Sequence, residues 1–156
     1  MYESFHEIED PNHARQYYNE VKMKYNDWKD FLHDVNEEGN TPLMEYINKI
    51  IAGDRRKCMI DMVVWICKQG VDTNNGDEYS TPLQCIVEHC YRMKESNEEL
   101  TWVWKKVIDT LLSHSANDNL LIEVIDPYSY EIVKKSCKEI ISEVFNGKKR
   151  KRNISD

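Results

Sequence analysis

The sequence predicts an all-α fold: a short solenoid of stacked helix pairs with a helical cap at each end. Three observations carry this expectation. Apolar residues recur at spacings of three and four through most of the chain, the period of a helix with one buried face. Only 5 Gly and 4 Pro occur in 156 residues, too few for the many tight turns of an all-β architecture. Thr-Pro-Leu occurs twice, at 41–43 and 81–83, each time opening an apolar stretch, which points to a repeated unit. The tripeptide has a local logic. Thr caps the orphan amides of a first turn, Pro at the first helical position loses no hydrogen bond, and Leu starts the buried face.

Residues 1–12 read as a polar lead-in. From His13 to about His33, the residues Tyr17, Val21, Tyr25, Trp28, Phe31 and Leu32 fall on one helical face. This segment is one helix, or a pair broken near Asn26-Asp27 with Asp27 capping the second piece. Asp34 to Asn40 has turn composition. A helix follows from Thr41 to about Ala52, and Gly53-Asp54-Arg55-Arg56 ends it. The next runs from about Lys57 to Lys68, nearly apolar all round and so expected to be buried. Gly70, just past its end, suits a left-handed terminator. Val71 to Glu78 is a second polar connection. Thr81 to about Arg92 is helical, Lys94 to Glu99 is a charged loop or turn, and Leu100 to His114 is helical again. Ser115 to Asn119 turns the chain. Leu120 to Ile125 is short and apolar, and Pro127 starts or precedes a last helix over about Tyr128 to Phe145. Its stripe is Ile132, Val133, Cys137, Ile140, Ile141 and Val144.

The pattern resembles ankyrin repeats. In that family a turn with Asp and Asn precedes Gly, Thr-Pro-Leu opens the first helix, and the second helix ends in Gly-Ala-Asp-x-Asn. Gly70-Val71-Asp72-Thr73-Asn74 matches that ending. Ser115-Ala116-Asn117-Asp118-Asn119 resembles it with Ser in place of Gly, and Asp34-Val35-Asn36 resembles the end of a preceding unit. The two Thr-Pro-Leu motifs stand 40 residues apart, against a usual ankyrin period of about 33. Met44 and Gln84 stand where the family has His. The resemblance implies a short ankyrin-repeat solenoid over 13–146, with repeats at about 37–74 and 77–119, caps at 13–36 and 120–146, and a basic tail at 147–156. Long, irregular repeats rich in Tyr, Ile, Asn and Lys are similar to those of poxvirus ankyrin proteins, which are host-range and immune-evasion factors. Many of those carry a C-terminal F-box-like segment that recruits a ubiquitin ligase. No such segment is read after Pro127, so the chain is either a truncated member or acts by binding alone.

Composition excludes several function classes. A net charge of -7 disfavours general nucleic-acid binding. No apolar run approaches the length of a membrane span. The acidic start, with Glu3, Glu7, Glu9 and Asp10, is not of secretory type. Five cysteines, an odd number, fit reduced thiols in a cytosol-like compartment.

Chemistry-bearing residues are few. Cys85 and His89 share a helical face with Cys90 nearby, and a zinc site there would need Cys58 or Cys67 in addition. No paired-Cys spacing supports one, and buried thiols are the simpler reading. A Cys-His nucleophile pair from the same residues lacks an orienting acid or oxyanion site. The acidic pairs Glu37-Glu38, Asp77-Glu78 and Glu98-Glu99 read as solvated turns rather than acid–base catalysts. No phosphate-binding Gly pattern is present. Trp102 and Trp104, two apart, cannot both be buried on one face, and an exposed Trp is a frequent interface anchor. In ankyrin proteins the turn tips and first helices line the concave binding surface. The resemblance therefore implies Asn40, Asp77, Glu78, Tyr79 and Ser80 as contacts, beside Trp102. Lys148, Lys149, Arg150, Lys151 and Arg152 form either a nuclear-import signal or a solubilising tail.

The expected function is thus non-catalytic protein binding by a monomer, with no cofactor, no nucleic acid and no membrane. The resemblance implies a viral protein in the host cytoplasm that binds a host signalling or ubiquitin-pathway protein, NF-kappa-B components and cell-death kinases among the target classes. The alternatives are an ankyrin adaptor or Rel-type transcription-factor inhibitor carried to the nucleus by its tail, and a Cys/His metalloprotein.

Overall fold

The computed structural model describes residues 10–26, 28–75, 80–96 and 102–145. The chain divides into two compact units, Met1–Pro82 and Leu83–Asp156. The first contains α1 (Pro11–Lys24), α2 (Trp28–Phe31), α3 (Pro42–Ala52) and α4 (Lys57–Lys68). The second is built from α5 (Pro82–Glu95), whose first residue ends the first unit, α6 (Trp102–Ser113), β1 (Leu121–Ile125), β2 (Ile132–Ser136) and a terminal helical segment over 137–145.

In the first unit the helix boundaries follow local hydrogen bonds. The Asp10 carboxylate accepts from Asn12 N–H at 2.9 Å, Pro11 takes the first position of α1, and Lys22 and Lys24 sit where the helix dipole favours cations. The buried face is Pro11, Ala14, Tyr18 and Val21. The break expected near 26 is present, because α1 ends at Lys24 and α2 begins at Trp28. Tyr18 stacks on Phe31 and meets Trp65 of α4 edge-on with centroids 5.1 Å apart. Thr41 Oγ1 accepts from Met44 N–H at 3.3 Å with Pro42 next, the arrangement that Thr-Pro-Leu encodes. Gly53 at φ 128° ends α3, and four residues later α4 starts and packs against α3. Gly70, at φ 85°, takes the left-handed position after α4.

In the second unit, α6 buries Val103, Trp104, Val107, Ile108, Thr110 and Leu111. It ends in a left-handed residue too, here Ser115 at φ 72°. Ala116 N–H donates to Leu111 O at 3.0 Å across it, the wrapped bond that closes such an end. α5 runs to Glu95, further than Arg92, where the sequence ends it.

The C-terminal part corrects the all-α expectation. Leu121–Ile125 and Ile132–Ser136 form an antiparallel two-stranded sheet, with Leu121 opposite Ser136 and Ile125 opposite Ile132. The single helix expected over 128–145 is instead turn, strand and helix. Asp126-Pro127-Tyr128-Ser129 makes the reversal. The Asp126 carboxylate accepts from Tyr128 N–H at 2.8 Å, and Asp126 N–H donates to Glu131 O at 2.9 Å, while Pro presets the backbone angle that such a turn needs. The helical stripe survives only from Cys137, with Cys137 and Ile140 buried.

Candidate protein-binding surface

The local bonds that end helices in this chain recur. Asn36, Asp72 and Asn117 each turn a side-chain oxygen onto the amide two residues on, those of Glu38, Asn74 and Asn119, at 2.9 to 3.0 Å. Asp72 and Asn117 both follow a left-handed residue two positions earlier, Gly70 and Ser115. These Asx turns free the backbone from helix continuation and fall where the sequence places the ends of units.

Of the residues proposed from sequence as contacts, Asn40, Ser80 and Trp102 lie among the described residues. Asn40 is only 7% exposed. Its N–H donates to Asn36 Oδ1 and its carbonyl accepts from Asn36 N–H, so it closes the 36–40 loop rather than presenting an amide to solvent. Ser80 is half-buried. Asp77, Glu78 and Tyr79 lie outside the described residues, as does the tail Lys148, Lys149, Arg150, Lys151 and Arg152. Trp102 is 63% exposed and Trp104 fully buried, as their two-residue spacing requires. Trp102 belongs to the second unit, Asn40 and Ser80 to the first.

A surface that sequence reasoning missed lies on the β-hairpin. Ile122 and Val124 point inward, while Leu121, Glu123 and Ile125 face out. Tyr128 is 92% and Tyr130 82% exposed, and Ile132 is exposed as well. Tyr130 also sits at φ 59°, a left-handed backbone that is unusual for a bulky side chain. The available signals were the short apolar run Leu121 to Ile125, interrupted only by Glu123, and the Asp126-Pro127 turn dipeptide that bounds it.

Helix α5 holds this hairpin by its edge. Cys137 N–H donates to Leu120 O, and Asp126 N–H to Glu131 O. The ladder period then turns the carbonyls of Leu121, Glu123 and Ile125 to the opposite edge. Side chains of α5 meet two of them: Gln84 Nε2 donates to Leu121 O at 2.9 Å, and Tyr91 Oη to Ile125 O at 3.4 Å. Gln84, Glu88, Tyr91 and Glu95 are spaced by four, three and four, one face of the helix. On the other strand, Lys135 Nζ pairs with Glu143 at 2.8 Å, which ties β2 to the terminal helical segment and holds the ammonium above the ordinary lysine range.

Between the C-terminal half of α5 and the hairpin lies an open cleft of about 600 Å³. Glu88, Arg92 and Glu95 line one side, and Glu123, Ile125 and Tyr130 the other. Arg92 is paired with Glu88 one turn away. Tyr91, also in the lining, has its phenol pushed up, first by burial and then by the Glu95 charge.

Cys67, Cys90 and Cys137 are placed as packing residues, while Cys58 and Cys85 are half-buried. Burial pushes the thiols of Cys67 and Cys90 up to about 12, and that of Cys137 up to about 11 with the Asp118 charge adding to it. None of the three is a thiolate at neutral pH. His89 packs its ring against Trp104 at 4.7 Å. Among the described residues, no group of three or more His, Cys, Asp or Glu is placed to hold a metal ion, and no helix is long and apolar enough to cross a membrane.

No protein-family model, curated protein or solved structure matches the chain.

Proposed function

We propose that the protein is a non-catalytic recognition module that binds another protein through the β-hairpin of its second unit. One observation carries this reading. Of the eight large hydrophobic side chains exposed among the described residues, five (Leu121, Ile125, Tyr128, Tyr130 and Ile132) fall within one hairpin. Apolar side chains scattered singly over a surface need no explanation, but their concentration in one hairpin does. Tyr is also a preferred interface residue, because it offers a large contact with few rotatable bonds. The strained backbone at Tyr130 supports the same reading, since a residue held against its preference is a reason to look for function there.

The ankyrin-type reading of the helical part draws support from the capped Thr-Pro-Leu start at 41–43 and from the repeated turns at Asn36, Asp72 and Asn117. With that resemblance comes the proposal that the partner is a host signalling or ubiquitin-pathway protein and that binding blunts an antiviral response.

The test uses the full chain and the variant Tyr128→Ser/Tyr130→Ser/Ile132→Ser. Quantitative capture from interferon-treated cells, with circular dichroism and thermal melts alongside, compares the two. Support is a defined partner that the wild type retains and the equally stable variant loses. Retention of the same partners by the variant would remove the hairpin from the interface, and recovery of no partner by either would remove the binding function.

A further inference from the structure

We infer that the cleft between α5 and the hairpin receives a basic side chain, lysine or arginine, from the bound partner. This rests on the reading of the hairpin as an interface and adds the chemistry of one contact.

The cleft is not simply a group of acids. Val124, Ile125 and Pro127 supply an apolar wall, Tyr91 and Tyr130 supply ring surface, and Glu88, Glu95 and Glu123 supply carboxylates. Arg92 is the single cation in the lining, and Glu88 engages it. The lining therefore keeps a net negative charge, carried by Glu95 and Glu123. Neither of these two forms an ion pair among the described residues. Lys134 stands opposite Glu123 in the strand register and forms no ion pair with it among the described residues.

Lysine and arginine match this lining part by part. Their methylene stems cover apolar surface while the charged head stays near polar groups. The head is favoured by carboxylates and by the faces of aromatic rings. An acidic partner segment would meet like charge, and a purely apolar one would bury the carboxylates of Glu95 and Glu123 without a counter-charge, which is costly. Charge complementarity thus selects a cationic occupant.

The experiment titrates the 15N-labelled full chain with three probes in turn: N-acetyl-arginine amide, the isosteric but uncharged N-acetyl-citrulline amide, and N-acetyl-norleucine amide. The arginine derivative is expected to shift the amides of Glu95, Glu123, Ile125 and Tyr130, with a dissociation constant on the order of millimolar. Citrulline is expected to bind at least about fivefold more weakly. The double variant Glu95→Gln/Glu123→Gln is expected to weaken arginine binding about tenfold, the sum of two exposed charge contacts. Added salt should weaken it as well.

Equal binding of arginine and citrulline, or stronger binding of norleucine, would overturn the proposal. Arginine shifts spread over the acidic surface instead of the cleft would also overturn it, since the net charge of -7 attracts any cation weakly. The probe comparison on the wild-type chain needs no variant to fold. The two readings fail separately. Loss of the partner with Tyr128→Ser/Tyr130→Ser/Ile132→Ser, alongside indifference to probe charge, leaves the interface standing and removes the cationic contact.

Discussion

Ser115 and Gly70 hold equivalent places, each in the left-handed region just past a long helix, at φ 72° and 85°. A side chain at such a position costs about 1–2 kcal/mol through the clash of Cβ with the backbone. Glycine escapes that cost but gives up about 0.5–1 kcal/mol more chain entropy on folding. The difference leaves Ser115→Gly stabilising by roughly 0.5–1 kcal/mol. Ser115 is exposed, so the change removes little packing, and at an exposed site a group left by its hydroxyl regains a hydrogen bond from water. Gly70→Ser is the mirror experiment. A Cβ built at Gly70 meets nothing within 4 Å, so its cost is the backbone conformation alone, and a loss of the same size is expected. For a chain of this length, such changes move the melting temperature by about 1–4 °C in opposite directions. Calorimetry or urea unfolding of the two single variants and the double variant reads this directly, and the double should return near the wild type. A Ser115→Gly protein that melts lower, or two variants that shift the same way, would refute the assignment of a shared left-handed terminator.

The two tryptophans of α6 should separate cleanly in chemical denaturation. Trp104→Ala removes a fully buried ring and should cost about 3–5 kcal/mol, whereas Trp102→Ser should cost far less, and iodide should quench Trp102 much more strongly. The buried thiols set an alkaline limit. Cys67, Cys90 and Cys137 keep their protons in the folded chain to about 11–12, while the unfolded chain releases them near 9. Their contribution is therefore complete below pH 8.5 and is lost as pH rises from about 9 toward 12, by up to about 1.4 kcal/mol per pH unit for each thiol. Urea midpoints measured from pH 8 to 10.5 on the wild type and on Cys90→Ala check the sign, since the variant should show the shallower alkaline fall.

Much of the helical framework was legible because its signals are short-ranged. Thr41 reaches Met44 N–H three residues away, Asp10 reaches Asn12, and Gly70 ends α4 with its own backbone angles. The Trp102–Trp104 spacing gave the exposure of one and the burial of the other for the same reason, since helical geometry alone decides it. Asn40 shows what a resemblance leaves to the local structure. Its position in the motif implies a contact, but the Asn36 side chain turns the loop back and uses its amide.

Ile132, Val133 and Cys137 show why the rest was hidden. At spacings of one and four they fit a helical stripe as well as they fit a strand running into a helix, and a short apolar run does not choose between periods. The choice came from groups remote in sequence. The carbonyls of Leu121 and Ile125 find donors on Gln84 and Tyr91, 37 and 34 residues away, and Lys135 of β2 finds Glu143 of the terminal helical segment. The sequence by itself determined where most of the helices start and stop, because caps and terminators act within one turn. Only the tertiary structure decided that residues 121–136 pair as strands and that a cleft opens beside them, because the side chains of α5 that meet the hairpin's edge carbonyls lie 37 and 34 residues away.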